Sequence, residues 1–357
     1  MDYRGHKIKI WSVVEAGFIL LLFLSLPLTG QTQNDNEIIR VGTDLVSVPF
    51  SVYGRDGKYV TGLRSEEIRL FENGVEQTIR FFQPTEEPIT VMLLVDVSAS
   101  MITHMPEMGK AMDLFIDNLR PNDTIVVAYF AAEPQIDIRI PPTKKSAYKY
   151  SKPSNPPRTG RSRGSLPTLT FDAVHEAIKY MNAFKGRRAV VLFGDSDLSG
   201  FNATAKSNLR NAEESSSVFY TIRYGEYPGA CVETLTDTIT LNDGGGSESL
   251  IPSDGIRRNS KCRYREKEIP KLINDVNAYM FGLAEKTGGT AYKISEMSDL
   301  AGIFSKIIAE IGQQYTLGYY PTVDGNDGER RRITVKVNVP NVAVRSRNEV
   351  IYKKSKK

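Results

Sequence analysis

The stretch ITVMLLVDVSASM, residues Ile89 to Met101, decides how the chain is read. Val91 to Val95 is an unbroken apolar run without alternation, the pattern of a central parallel strand covered on both faces. The run stops at Asp96, Ser98 and Ser100, so a loop follows at the strand's carboxyl end, the edge where open α/β sheets hold ligands. Asp-x-Ser-x-Ser there offers one carboxylate and two hydroxyls within a single turn, an oxygen set that suits a hard divalent cation.

Outward from this stretch, strand and helix patterns alternate. Strands are expected at 89–95, 124–130, 189–193, 218–224 and 290–294, and helices at about 105–119, 172–184, 203–214, 270–286 and 297–311. The last helix carries the cleanest apolar stripe: Leu300, Ile303, Phe304, Ile307, Ile308 and Ile311. Such alternation predicts an α/β fold, a doubly wound, mostly parallel, Rossmann-like sheet with helices on both sides, over residues 87–312. Two stretches interrupt it and read as inserted loops. Residues 141–167 hold six prolines, four lysines and three arginines without an acid, and residues 225–267 are rich in Gly, Ser and Asp.

Both flanks read as β structure. In 38–86 the alternation Val46, Val48, Phe50, Val52 gives a half-buried strand, Asp56-Gly57 a turn, and Asn73-Gly74 inside RLFENGVEQTI a hairpin whose two central residues take positive φ. The tail, 313–357, repeats strand patterns in QYTLGYYPT, RRITVKVNV and VAVRSRNEVIY. A few hairpin strands are marginal alone, so the tail is expected to join 38–86 in an accessory antiparallel β-sandwich-like module.

The first thirty residues combine a basic start (Arg4, Lys7, Lys9) with an apolar core from Ala16 to Leu28, short for a membrane span and right for a secretory signal. A cleaved signal is the expectation, with an uncleaved anchor as the alternative, followed by a polar leader at 31–37. The two cysteines, Cys231 and Cys262, share one irregular segment, and in an exported chain they most simply form a loop-closing disulfide. The expected location is therefore the periplasm, the cell envelope or the medium.

Three pieces carry a resemblance. DVSAS, then Thr168 in PTLTFDAV, then Asp195 in AVVLFGDSD resemble, in order, the metal-ion-dependent adhesion site (MIDAS) of von Willebrand factor type A domains. DLVSVPFSVYGRDGKYVTGLRSEEIRLFENG resembles the leading segment of a family of secreted bacterial proteins related to those domains. The resemblance implies that Asp96, Ser98, Ser100, Thr168 and Asp195 hold Mg²⁺ or Mn²⁺, and that an Asp or Glu of a protein or peptide partner completes the metal's shell. The chain departs from the family in having Gly194-Asp195-Ser196 in place of Ser-Asp-Gly, with Asp197 close by, and in its two long inserted loops. In isolation, DVSAS also reads as an ordinary helix cap with solvated serines.

Lys144, Lys145, Lys149, Lys152, Arg158, Arg161 and Arg163 form a basic stretch ending five residues before Thr168. It reads either as a solvated loop or as a positive field steering acidic partners to the rim. A net charge of +4 and two interleaved tyrosines, Tyr148 and Tyr150, give no basis for a nucleic-acid partner. Ser98 with His104 or His175 invites a hydrolase reading, but no Gly-x-Ser-x-Gly elbow and no Walker-type phosphate loop is present, so no enzyme is expected. The rival reading is a scaffolding envelope protein that uses the fold without an ion.

Overall fold

The structure is a computed structural model that describes residues 45–147, 168–195, 198–225 and 269–354. The expected signal and leader, the cysteine pair Cys231 and Cys262, and Lys149, Lys152, Arg158, Arg161 and Arg163 lie outside the described residues. Among the described residues, no helix is long and apolar enough to cross a membrane.

In chain order the strands are β1 (Val46–Gly54), β2 (Ile68–Glu72), β3 (Val75–Gln77), β4 (Ile79–Gln83), β5 (Ile89–Asp96), β6 (Thr124–Phe130), β7 (Asp137–Lys144), β8 (Arg187–Gly194), β9 (Val218–Tyr224), β10 (Ala291–Ile294), β11 (Tyr315–Tyr319), β12 (Arg330–Val337), β13 (Val342–Ser346) and β14 (Glu349–Ile351). The α-helices are α1 (Met105–Asp117), α2 (Thr170–Met181), α3 (Ala205–Glu214), α4 (Ile269–Thr287) and α5 (Leu300–Gly312).

Six strands form one sheet in the order β10-β9-β8-β5-β6-β7. β5 lies between β6 and β8 and is parallel to both, and β9 and β10 continue the parallel run. Alternate residues of β5 explain its unbroken apolar run. Val91, Leu93 and Val95 pack with α1 and α5 on one face, where Phe115 meets Phe304 edge-on at 5.1 Å. Met92 and Leu94 pack with α2, α3 and α4 on the other. Both faces are covered, which accounts for the unbroken apolar run from Val91 to Val95. The fold is thus α/β, with a mostly parallel sheet between two helical layers, in agreement with the expected von Willebrand A-type, Rossmann-like arrangement.

β7 is a departure. It pairs antiparallel with β6 and runs into the segment 141–167 that the sequence suggests is all loop. Pro141 and Pro142 fit because β7 is the edge strand, where a missing N–H is tolerated, and the register with β6 shifts on both sides of Val127.

Two four-stranded sheets, β13-β1-β11-β4 and β14-β12-β2-β3, share a second core of Val48, Phe50, Val52, Leu70, Tyr315, Leu317, Tyr319, Ile333 and Val335. Strands from the two flanks interleave: β1 pairs with β11 and β13, and β2 with β12. Asn73 (φ 49°) and Gly74 (φ 85°) form the hairpin turn between β2 and β3. Pro49 sits inside a central strand without cost. β13 pairs only with Phe50 to Gly54, so at Pro49 the strand has a neighbour on one side alone.

A buried arginine and a half-buried one join this β unit to the amino-terminal edge of the six-stranded sheet. Arg187, which opens β8, donates to the carbonyls of Thr85 (2.9 Å), Glu87 (2.7 Å) and Ile311. Arg120 donates to the carbonyls of Thr85 (2.6 Å) and Gly312 (2.5 Å). Two guanidiniums thus meet the carbonyl end of α5, where a helix favours cations. Burial pulls the pKa of Arg187 down to about 10, so it remains charged at neutral pH.

Candidate metal centre

β5 ends at the point where chain connections leave to either side, β6 on one flank and β8 on the other, the switch point at which such sheets open a crevice. Asp96 closes β5 and is fully buried, and its Oδ1 accepts the amide of Ser98 at 2.8 Å, which bends the chain sharply out of the strand. The hydroxyls of Ser98 and Ser100 lie 3.1 Å apart, and Ser100 Oγ donates to Asp195 Oδ2 at 2.5 Å. Asp195 follows β8 directly and is buried. Side chains 95 residues apart in sequence therefore meet because β5 and β8 are parallel neighbours ending together.

The structure brings Asp96, Ser98, Ser100 and Asp195 into one cluster. Thr168 reaches the same rim by its backbone. Leu169 N donates to Ala131 O, just beyond β6, while Val97 N donates to Phe130 O. No hydrogen bond links the Thr168 side chain to the other four; its carbonyl accepts Ser199 Oγ at 2.5 Å. Lys144 and Lys145 are not at the rim. Thr124 opens β6 and pairs with Lys144, so both lysines stand at the opposite edge of the sheet, with Lys145 Nζ 2.7 Å from Asp117 Oδ1. The steering role read for these two fails because β7 runs antiparallel and carries them away from the loop that follows β5.

Electrostatics single out Asp96. Burial, and then the charge of Asp195, push its carboxyl well above the usual carboxylate range against the opposing bonds from Ser98. Its Oδ2 is buried and has no hydrogen-bond partner among the described residues. Two carboxylates confined together, one with an unmatched oxygen, fit a bound cation. Gly194 supports that fit, since a Cβ there would lie 2.7 Å from Asp96 Cβ and 2.9 Å from its Oδ2. The Ser-to-Gly departure at this position thus has a steric reason: the Asp96 carboxyl occupies the space. The donors are hard oxygens, two of them hydroxyls that keep acceptor lone pairs while donating a proton elsewhere. Among the described residues no three His, Cys, Asp or Glu side chains gather in one place, so the cluster relies on Ser as much as on Asp.

Sequence reading missed Asp172. It is buried on the first turn of α2, and its carboxylate accepts the amides of Phe201 (2.5 Å) and Asn202 (2.7 Å), tying the loop after β8 to the segment that begins at Thr168. An acid in a helix's first turn is ordinary in sequence, and nothing there marks this one. His104 does not serve Ser98. Its Nε2 lies 3.2 Å from the Tyr224 hydroxyl, its ring packs on Tyr224 at 4.8 Å, and Nδ1 is 3.9 Å from Glu107. His175 lies on α2, half-buried.

Solved von Willebrand factor type A domains stand among the structural neighbours of this chain. The A domain from Catenulispora acidiphila is 12% identical, with 87% of this chain and 73% of that one covered at a TM-score of 0.39. Proximal thread matrix protein 1 from the mussel byssus, solved with a zinc-occupied MIDAS motif, is 12% identical, with 66% and 48% covered and a TM-score of 0.40. An aerotolerance-related membrane protein from Bacteroides fragilis is 14% identical, with 62% and 98% covered and a TM-score of 0.36. This chain spans about half the length of the mussel protein it matches. At such scores these likenesses say nothing of function. No protein-family model matches the chain, and no curated protein does.

Proposed function

We propose that the chain is an exported, metal-dependent binding protein in which Asp96, Ser98, Ser100, Thr168 and Asp195 hold a divalent cation, Mg²⁺ or Mn²⁺, that engages a carboxylate of a protein partner. The observation that carries this reading is the buried Asp96 carboxyl, raised in pKa beside Asp195 with two serine hydroxyls at hand. A cation would satisfy both acids at once. With only two carboxylates among its ligands it would stay electron-poor enough to take a third from a partner. Hard oxygens favour Mg²⁺ or Mn²⁺ over softer ions. The zinc in the mussel protein's motif makes Zn²⁺ a second metal to titrate.

The test is calorimetric titration of the full chain with MgCl₂, MnCl₂ and ZnCl₂. One site is expected, with Mg²⁺ affinity falling by about a hundredfold or more in Asp96→Ala, since a removed ligand costs at least what an outer-shell partner does. Binding that Asp96→Ala leaves unchanged sinks the assignment. Thr168→Ala, which removes the one proposed ligand whose side chain has no hydrogen bond to the others, is expected to cost about tenfold. Export rests on the basic-then-apolar start of the chain, and is tested by fractionating cells that express it.

A further inference from the structure

Among the described residues, Phe201 is the most exposed large apolar side chain, at 83%. Single exposed apolar residues are ordinary, and Leu114 and Phe281 on helix surfaces are of that kind. Phe201 differs in how firmly its backbone is held. Its own amide and that of Asn202 both donate to the buried Asp172 carboxylate. Two residues earlier, Ser199 O accepts Phe171 N at 3.0 Å while its hydroxyl donates to Thr168 O. Leu198 bridges Leu169. Gly200 is packed so closely that a Cβ would come within 2.4 Å of Ala203 O and 2.8 Å of Phe171 Cβ.

The loop is thus knit on both sides of a ring that stays in water, where it adds nothing to the stability of the fold. A pinned aromatic with two side-chain torsions is the kind of group that anchors interfaces, because little conformational entropy is lost when it is covered. Its position adds the second half of the argument. Phe201 follows Asp195 by six residues, and its loop is bonded to the segment opened by Thr168, so its backbone stands on the same rim as the four clustered side chains.

We propose that Phe201 is a specificity-determining contact of this rim: it seats against an apolar side chain of the partner segment whose carboxylate meets the cation. The preferred ligand is then a peptide segment in which Asp or Glu is accompanied by an aromatic or aliphatic residue, rather than an acid among polar neighbours. This rests on the cation-dependent reading above.

The experiment selects a random dodecapeptide phage library against the immobilised full chain in Mg²⁺, in EDTA, and against Phe201→Ser in Mg²⁺. On the unaltered chain, enrichment of peptides that pair an acid with a nearby apolar residue is expected. Phe201→Ser should bind those synthetic peptides about thirtyfold more weakly, as loss of an anchor of about 2 kcal/mol requires. Its Mg²⁺ affinity and melting temperature should not change, and peptides with the apolar residue replaced by Ser should no longer distinguish the two chains. Enrichment of acidic, Mg²⁺-dependent peptides that bind both chains equally overturns the role of Phe201 and leaves the cation site standing. Enrichment that survives EDTA, or no enrichment at all, overturns both.

Discussion

Asp96 shows what a single carboxyl is made to bear by its surroundings. Its folded pKa is raised by burial and by Asp195, so the protonated form is the one that favours the metal-free fold. That contribution is complete below the ordinary carboxylate range and is lost as pH rises through the raised value. Urea unfolding in EDTA is therefore expected to show stability falling from mildly acidic toward neutral pH, and saturating Mg²⁺ should flatten the fall. At a hundred times its dissociation constant, the ion adds about 2.7 kcal/mol. Mg²⁺ affinity should weaken as pH falls, because the proton competes for the same oxygen. Gly194 makes the matching steric prediction. Gly194→Ala pushes a methyl into the Asp96 carboxyl, and a loss of about 1–3 kcal/mol in unfolding free energy with at least tenfold weaker Mg²⁺ binding is expected. An alanine variant of undiminished affinity would mean that the carboxyl does not need its present position.

At the scale of elements, the candidate site is three loops on the ends of β5, β6 and β8, and their order relies on groups outside the ligand set. Asp172 closes the loop after β8 onto α2. Asp172→Ala leaves two amides without their acceptor, and a cost of about 2–4 kcal/mol is expected, together with faster amide hydrogen exchange at residues 198–203. Exchange confined to its former rate would show that packing at Gly200 alone holds the loop. DVSAS was legible because it interrupts an apolar strand, and the Asn73-Gly74 turn because both positive φ values have a residue that tolerates them. β7 was not, because its prolines and lysines describe a loop as well as they describe an edge strand, and only the unpaired side of β6 distinguishes the two.

For the molecule as a whole, the two flanks of the chain make one β unit, and arginines attach it to the edge of the sheet opposite the cluster of Asp96, Ser98, Ser100 and Asp195. Arg347 donates to the carbonyls of Glu213 and Ser215 at 3.0 Å each, and Arg330 reaches Glu213 Oε2 at 2.8 Å. Arg345 lies 3.4 Å from Glu310 on α5. Arg187→Ala removes the donors to the carbonyls of Thr85, Glu87 and Ile311, of which that of Thr85 keeps Arg120 as a second donor. A loss of about 3 kcal/mol is expected by urea unfolding, with Mg²⁺ affinity retained because the change lies at the far edge. A large drop in Mg²⁺ affinity in that variant would instead reveal coupling between the two edges. Since β1 draws both its neighbours from the tail, a chain stopped after Gly312 is expected to lose its order at residues 45–83, read as rapid proteolysis there.

The sequence by itself determined the layered α/β order, since apolar runs of strand length, rich in β-branched residues and alternating with helical stripes, read as strands covered on both faces, and it marked Asp96, Ser98, Ser100 and Asp195 through where such runs stop. It also marked the antiparallel flanks, whose alternation and turn residues are local properties. What the tertiary structure alone decided depends on which distant backbones become neighbours: the clustering of four oxygen-bearing side chains at the ends of two strands, the need for glycine at 194 beside a carboxyl 98 positions away, the exile of Lys144 and Lys145 to the far edge, and the buried acid that holds the backbone of Phe201. Those facts come from register and close approach, and a linear pattern carries neither.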